Sequence, residues 1–244
     1  ITDQTSTETA WANYGSDHGL RVAAVKSPSE YAEITSPGHA VKDAYFAVYD
    51  RAGPLVVSSS IFQNVYENRK WNFALSVRPE KYNFADGVFG TEIDSPTDKY
   101  ILELYGVSYD TGIKRNSFCV TSSIGATSGS AIVASSKRMF LGAHRNNLTG
   151  TVTNYSDVRA SSLLYWTDYI PTGTVDNHSK DVDNFGRKNP FRNTFGFQTG
   201  SNVNYIPEIE TLALNWDFVT VTGSDTLGKF SVEDYSSGSA ANGY

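Results

Sequence analysis

Hydrophobic and polar positions alternate along this chain with a period close to two. From Trp71 to Val77, the residues Trp71, Phe73, Leu75 and Val77 fall on one face, and Asn72, Ala74 and Ser76 on the other. Leu212, Leu214, Trp216 and Phe218 alternate with Ala213, Asn215 and Asp217 in the same way. These rows predict Trp71, Phe73, Leu75, Leu214 and Trp216 to be largely buried, because an aromatic or aliphatic face on a strand is stabilised by leaving water. Tyr100, Leu102 and Leu104 line one face of a further run, whereas Ile101, Tyr105 and Val107 line the opposite face. Apolar residues on both faces predict a central strand covered on two sides. Further strands are expected at Leu20–Val25, Ala44–Tyr49, Leu55–Ser59, Ser117–Thr121, Ala131–Ala134, Met139–Leu141 and Leu163–Trp166.

Turn chemistry separates these runs. Asp50-Arg51-Ala52-Gly53-Pro54 and Asp110-Thr111-Gly112 carry residues that tolerate or preset turn dihedrals. The second lies between two strand runs and predicts a hairpin. Ser128-Gly129-Ser130 reads as a small-residue turn. Helical periodicity is missing over any long stretch, and at most one short helix is expected, at Thr174–Asp181 after Pro171 and Gly173. Many short strands without repeated crossover helices predict an all-β antiparallel sandwich or barrel and exclude a parallel α/β sheet. The segment Asp181–Asn204 differs from the rest. It is rich in Asn, Gly, Arg and Lys, carries Phe185, Phe191, Phe195 and Phe197, and is longer than an ordinary connection.

Composition narrows the partners more than the fold. The 244 residues suffice for one large β domain, expected over residues 1–235, with the Ser- and Gly-rich residues 236–244 as a flexible tail. A start at Ile1 and this tail read as a domain cut from a longer polypeptide. The net charge of −6 repels phosphate backbones, so nucleic acid is not an expected partner. Cys119 is the only cysteine, which excludes an intramolecular disulfide and a thiolate metal cluster. Its position between Phe118 and Val120 reads as a strand residue. No apolar run reaches the roughly 20 residues of a membrane-spanning helix, so membrane insertion is not expected.

The stretch Met139-Phe140-Leu141-Gly142-Ala143, a polar loop closing on Thr149-Gly150, then Asp157-Val158-Arg159 and Leu163-Leu164-Tyr165-Trp166 resembles the laminin-G-like branch of the concanavalin A-like superfamily. The Trp-led strand Trp71–Val77 and the run Tyr100–Tyr105, before a hairpin ending in Phe118, are similar to features upstream in that family. The likeness covers roughly residues 70–180. It implies an antiparallel two-sheet jelly-roll sandwich, with the short helix at Thr174–Asp181 enclosing His178. The segment Leu212–Ser239 looks like sequences that follow such domains in large virion structural proteins of tailed phages. That resemblance implies a module of a long assembly protein, on a virion surface or outside the cell.

The candidate chemistry is sparse. Glu92-Ile93-Asp94 is similar to the start of the carboxylate strand in laminarinase-type glucanases, where two carboxyls flank the scissile bond about 5–5.5 Å apart. Here Ser95-Pro96-Thr97 follows where the family places its next Glu, and Pro96 disfavours a central strand. No catalytic residue is therefore assigned, and an enzyme is not expected. His18, His39, His144 and His178 have no short ligand spacing, so no zinc site is read. No cofactor is required, although Ca2+ suits the loop oxygens of Asp181, Asp183 and Asn184, with Asn154 and Asp157 as a second set. Trp71 and Trp216 read as core, and Trp166 as either core or a sugar-stacking face. Arg145, Asn146, Asn147 and Tyr155 in the signature loop, with Arg187 and Phe191 in the long segment, are the expected contact surface. The expected function is a non-enzymatic structural or adhesion module, contacting other virion proteins, copies of itself or surface glycans. A carbohydrate-binding lectin module is the alternative, and a glycoside hydrolase the third reading.

Overall fold

The computed structural model describes residues 2–3, 19–27, 41–50, 54–67, 69–80, 99–133, 137–142, 144–145, 152–153, 159–167, 169–180, 212–218, 221–224, 226, 230–232 and 234. The chain divides into two compact units, Ile1–Ser156 and Asp157–Tyr244. The first holds β1 (Thr2–Asp3), β2 (Leu20–Lys26), β3 (Ala44–Asp50), β4 (Leu55–Ser58), β5 (Trp71–Pro79), β6 (Lys99–Asp110), β7 (Ile113–Gly125), α1 (Ala126–Val133), β8 (Lys137–Arg138), β9 (His144–Arg145) and β10 (Val152–Thr153). The second holds β11 (Leu163–Trp166), α2 (Thr172–Lys180), β12 (Leu212–Trp216), β13 (Val221–Ser224) and β14 (Phe230–Val232). The described strands pair antiparallel, which bears out the β-rich, antiparallel expectation.

Two three-stranded sheets dominate the first unit, in the orders β2-β3-β4 and β5-β6-β7. They share one core. Phe46 on β3 lies 4.7 Å from the rings of both Trp71 and Phe73 on β5, and stacks on Phe118 of β7 at 5.4 Å. Leu20, Ala44, Val48, Val65, Leu102 and Leu104 complete the buried cluster, with Leu75, Val77 and Val120 packed against it. The rings need room, and Gly106 supplies it. A Cβ at Gly106 would clash with the Phe118 ring, lying 2.3 Å from its nearest carbon.

β6 is the central strand of its sheet, as its two apolar faces predict. Leu102 and Leu104 are sealed on the core side, and Tyr105 and Val107 are buried on the other. The hairpin to β7 closes through Thr111 and Gly112, at φ of 50° and 80°. Two consecutive left-handed residues make a type I′ turn, whose twist matches that of the flanking strands.

Polar groups fix the segment after β4. The Asp43 carboxylate accepts a 2.8 Å hydrogen bond from the Asn64 backbone N–H, where Asn64 sits at φ 56°. The Tyr66 hydroxyl donates to the Ala24 carbonyl at 3.1 Å, and Lys42 pairs with Glu67. Ala44 and Phe62 exchange backbone hydrogen bonds of 3.1 and 2.8 Å.

Several expectations are corrected. Among the described residues there are two helices, not at most one. Ala131–Val133 of the run expected as a strand, and all of Ser128-Gly129-Ser130, belong to α1. A short apolar run does not separate strand from helix by period alone. α1 is poor in strong helix formers and is held by tertiary contact. Gly129 is buried so close to Tyr100 that a Cβ would clash with that side chain, 2.3 Å from its ring. Met139–Leu141 is not a strand, and the short strands β8 and β9 lie on either side of it. Burial is shallower than the alternation predicts. Trp71, Leu75, Leu214 and Trp216 are half-buried, and Phe73 is 40% exposed, because a single three-stranded sheet leaves its marginal strand partly open.

The second unit pairs β11 with β12 and β13 with β14. The β11–β12 register shifts between Tyr165 and Trp166. Gly223, at φ 66°, is the extra residue of a bulge in β13, the arrangement that glycine permits at no steric cost. The short helix expected at Thr174–Asp181 is found at Thr172–Lys180, with Val175 buried and Lys180 in the last turn, where a cation suits the helix dipole. Asn215 is buried on β12, and its backbone N–H donates to the Asp234 carboxylate at 2.9 Å.

Candidate binding surface

The sequence of β3, Ala44-Tyr45-Phe46-Ala47-Val48-Tyr49-Asp50, sends alternate residues to opposite faces. Ala44, Phe46 and Val48 enter the core. Tyr45, Ala47 and Tyr49 therefore stand on the outer face of the β2-β3-β4 sheet. Register places Val25 opposite Tyr45, Ala23 opposite Ala47 and Arg21 opposite Tyr49 on β2. Ser58 and Leu55 lie opposite Ala47 and Tyr49 on β4.

Four features give this face a shape. The Tyr45 phenol is hydrogen-bonded to Tyr49. That bond is the main reason its pKa lies above the ordinary tyrosine value, with desolvation adding to it. Ala47, between the two tyrosines, has no exposed surface. Arg21 is exposed, and its guanidinium carbon sits 4.9 Å from the centre of the Tyr49 ring. Among the described residues no carboxylate pairs with Arg21.

The outer face of the β5-β6-β7 sheet is built differently. Exposed Ser117, Cys119, Thr121 and Ser123 alternate along β7, beside Glu103 and Tyr105 on β6. Lys114 donates a 3.0 Å hydrogen bond to the Tyr105 hydroxyl. Cys119 is a strand residue, as its neighbours predict. Desolvation, followed by the charge and hydrogen bond of Glu103, holds its thiol pKa above the ordinary value, so its reactive thiolate is suppressed.

In the second unit Trp166 stacks on His178 of α2, with centroids 6.1 Å apart and rings 14° from parallel. Trp166 is half-buried, and the stack occupies one of its faces. Trp216 meets Phe218 edge-on at 6.3 Å.

Of the contact residues expected from sequence, Arg145 lies in β9 opposite Val152. Asn146, Asn147, Tyr155, Arg187 and Phe191 lie outside the described residues, as do Asp181, Asp183 and Asn184 of the calcium set and Glu92 and Asp94. The described residues contain no group of three or more His, Cys, Asp or Glu side chains placed to hold a metal ion. No described helix is long and apolar enough to cross a membrane. Arg21, Tyr45 and Tyr49 were not singled out from sequence. The available signal was the pair of tyrosines four residues apart on the polar side of an alternating strand.

No family model matches the chain, and no curated protein or solved structure matches it.

Proposed function

We propose that the chain is a non-enzymatic structural and adhesion module that works by surface contact. The observation that carries this reading is the outer face of β2-β3-β4, where an exposed guanidinium, without a carboxylate partner among the described residues, lies on a tyrosine ring. Tyrosine and arginine are the types enriched where proteins contact partners. On a sheet whose other face is core, they support a role in recognition.

The resemblance of residues 70–180 to laminin-G-like domains extends the reading. The two three-stranded sheets would then be parts of one two-sheet jelly-roll sandwich. The resemblance of Leu212–Ser239 to phage structural sequences supports reading the chain as part of a virion structural protein, with other virion proteins, copies of this chain or surface glycans as partners. The lectin reading is favoured by the same Arg21–Tyr49 stack, since aromatic faces beside polar donors suit sugars.

The test uses the purified chain. Self-association is followed by light scattering, retention on immobilised polysaccharides by surface plasmon resonance, and release of reducing ends in the same samples. The expected result is self-association or retention without release. Reducing ends released by the wild-type chain and lost in E92Q or D94N would overturn the reading, as would a chain that neither associates nor is retained.

A further inference from the structure

Resting on the adhesion reading, we infer that Arg21, Tyr45 and Tyr49 form a binding site for an acidic saccharide, a short oligosaccharide that carries a carboxylate. β3 is the central strand of its sheet, with β2 on one side and β4 on the other. Its main-chain groups are engaged in both ladders, so no extended peptide can be added there as a further strand. Recognition on this face falls to side chains alone.

Those side chains suit a sugar. Tyr45 and Tyr49 are four residues apart on one strand, which separates their Cα atoms by about 13 Å. Ala47 between them is sealed, so a ligand meets the tyrosines themselves, with half-buried Ala23 on β2 and Ser58 on β4 beside them. Phenol rings offer C–H-binding faces and hydroxyl groups together, the combination that a saccharide with apolar faces and a polar rim requires.

The charge on this face sets the class of sugar. The outer row of Arg21, Ala23, Val25, Tyr45, Ala47, Tyr49, Leu55 and Ser58 contains one cation and no acid. The chain as a whole carries −6, so an anion is attracted only where a local cation outweighs the general field. Arg21 is held against Tyr49 before any ligand arrives, which lowers the ordering cost of binding. A guanidinium fork matches a carboxylate in bidentate geometry, which neutral hydroxyls cannot reproduce.

The experiment is a titration of the full chain with a four-unit oligogalacturonate and, separately, with neutral maltotetraose, by calorimetry and by NMR shifts of the β3 amides. The acidic probe is expected to bind and the neutral one to bind at least about tenfold more weakly, because a charge-assisted hydrogen bond is the larger contribution. Arg21→Gln should remove that preference, and Tyr49→Ala should weaken both probes. Thr121→Ala, on the other sheet, should leave binding unchanged, and unfolding curves of all variants check that the fold survives. Equal affinity for the two probes, an unchanged preference in Arg21→Gln, or no binding of either probe would overturn the site. A wild-type chain that binds neither probe yet self-associates would overturn this site while leaving the assembly reading standing.

Discussion

The two three-stranded sheets of the first unit share a core but differ in what they leave exposed outside. On β2-β3-β4 the outer residues are two tyrosines, an arginine and small aliphatics. On β5-β6-β7 they are Ser117, Cys119, Thr121 and Ser123 on β7, Ile101, Glu103, Tyr105 and Val107 on β6, with Lys114 against the Tyr105 ring, and Asn72, Ala74, Ser76 and Arg78 on β5. The short hydroxyl side chains of β7 expose little contact area. Rings and a guanidinium leave contact area and directed donors on offer. Residues that face inward are constrained by the same packing in both sheets. The difference lies in the alternate positions that stay exposed, since Ala47, Tyr105 and Val107 among them are buried.

The strongest way to break the comparison is to remove what the sheets share. Phe46→Ala withdraws the ring that meets Trp71, Phe73 and Phe118, and should cost about 3–5 kcal/mol in urea unfolding followed by circular dichroism. A loss under about 1 kcal/mol would mean that the sheets do not depend on a common core. Gly106→Ala should come next, at about 1–3 kcal/mol, because the new Cβ meets the Phe118 ring. Adding Phe118→Leu should return part of that loss if the cause is steric, and a double variant no more stable than Gly106→Ala would exclude this cause. The smallest effect concerns the quiet outer face. Alkylation of Cys119 should be slower than that of free cysteine near pH 8, with its pH profile displaced upward, because a raised pKa leaves less thiolate. Glu103→Gln removes the charge but not the desolvation, so it should restore the rate only in part. Full restoration would make Glu103 the main cause.

The strand content of the first unit was largely written in its alternation. The rows at Trp71–Val77 and Ala44–Tyr49, the central character of β6 and the turn at Asp110-Thr111-Gly112 all follow from local rules. Depth of burial does not. Whether Phe73 is sealed depends on how far the facing sheet extends, and nothing within β5 encodes that. α1 was missed because its turn-like Ser-Gly-Ser and short apolar run describe a helix only once Tyr100 is beneath Gly129. The contact face was half legible. Two tyrosines at i and i+4 are visible in the sequence, but Arg21 reaches Tyr49 only through the β2–β3 register, and that register spans a long stretch of chain between the strands. Of the loop residues proposed from sequence, Tyr155 depended on a family likeness, whereas Phe191 came from the composition and length of the segment Asp181–Asn204.

The β6–β7 hairpin also bears on the order in which the protein folds. Its strands, 12 and 13 residues long, meet through a two-residue turn, so each rung closes a loop only slightly longer than the rung before it. Such a structure zips outward from Thr111 and Gly112 on the scale of microseconds, and the chain entropy spent per contact stays small. The Phe46 contacts to β5 and β7 join segments far apart in the chain and have no such shortcut. The hairpin is therefore the natural template for folding. It carries Phe118 ready-placed above Gly106 when the ring of Phe46 arrives.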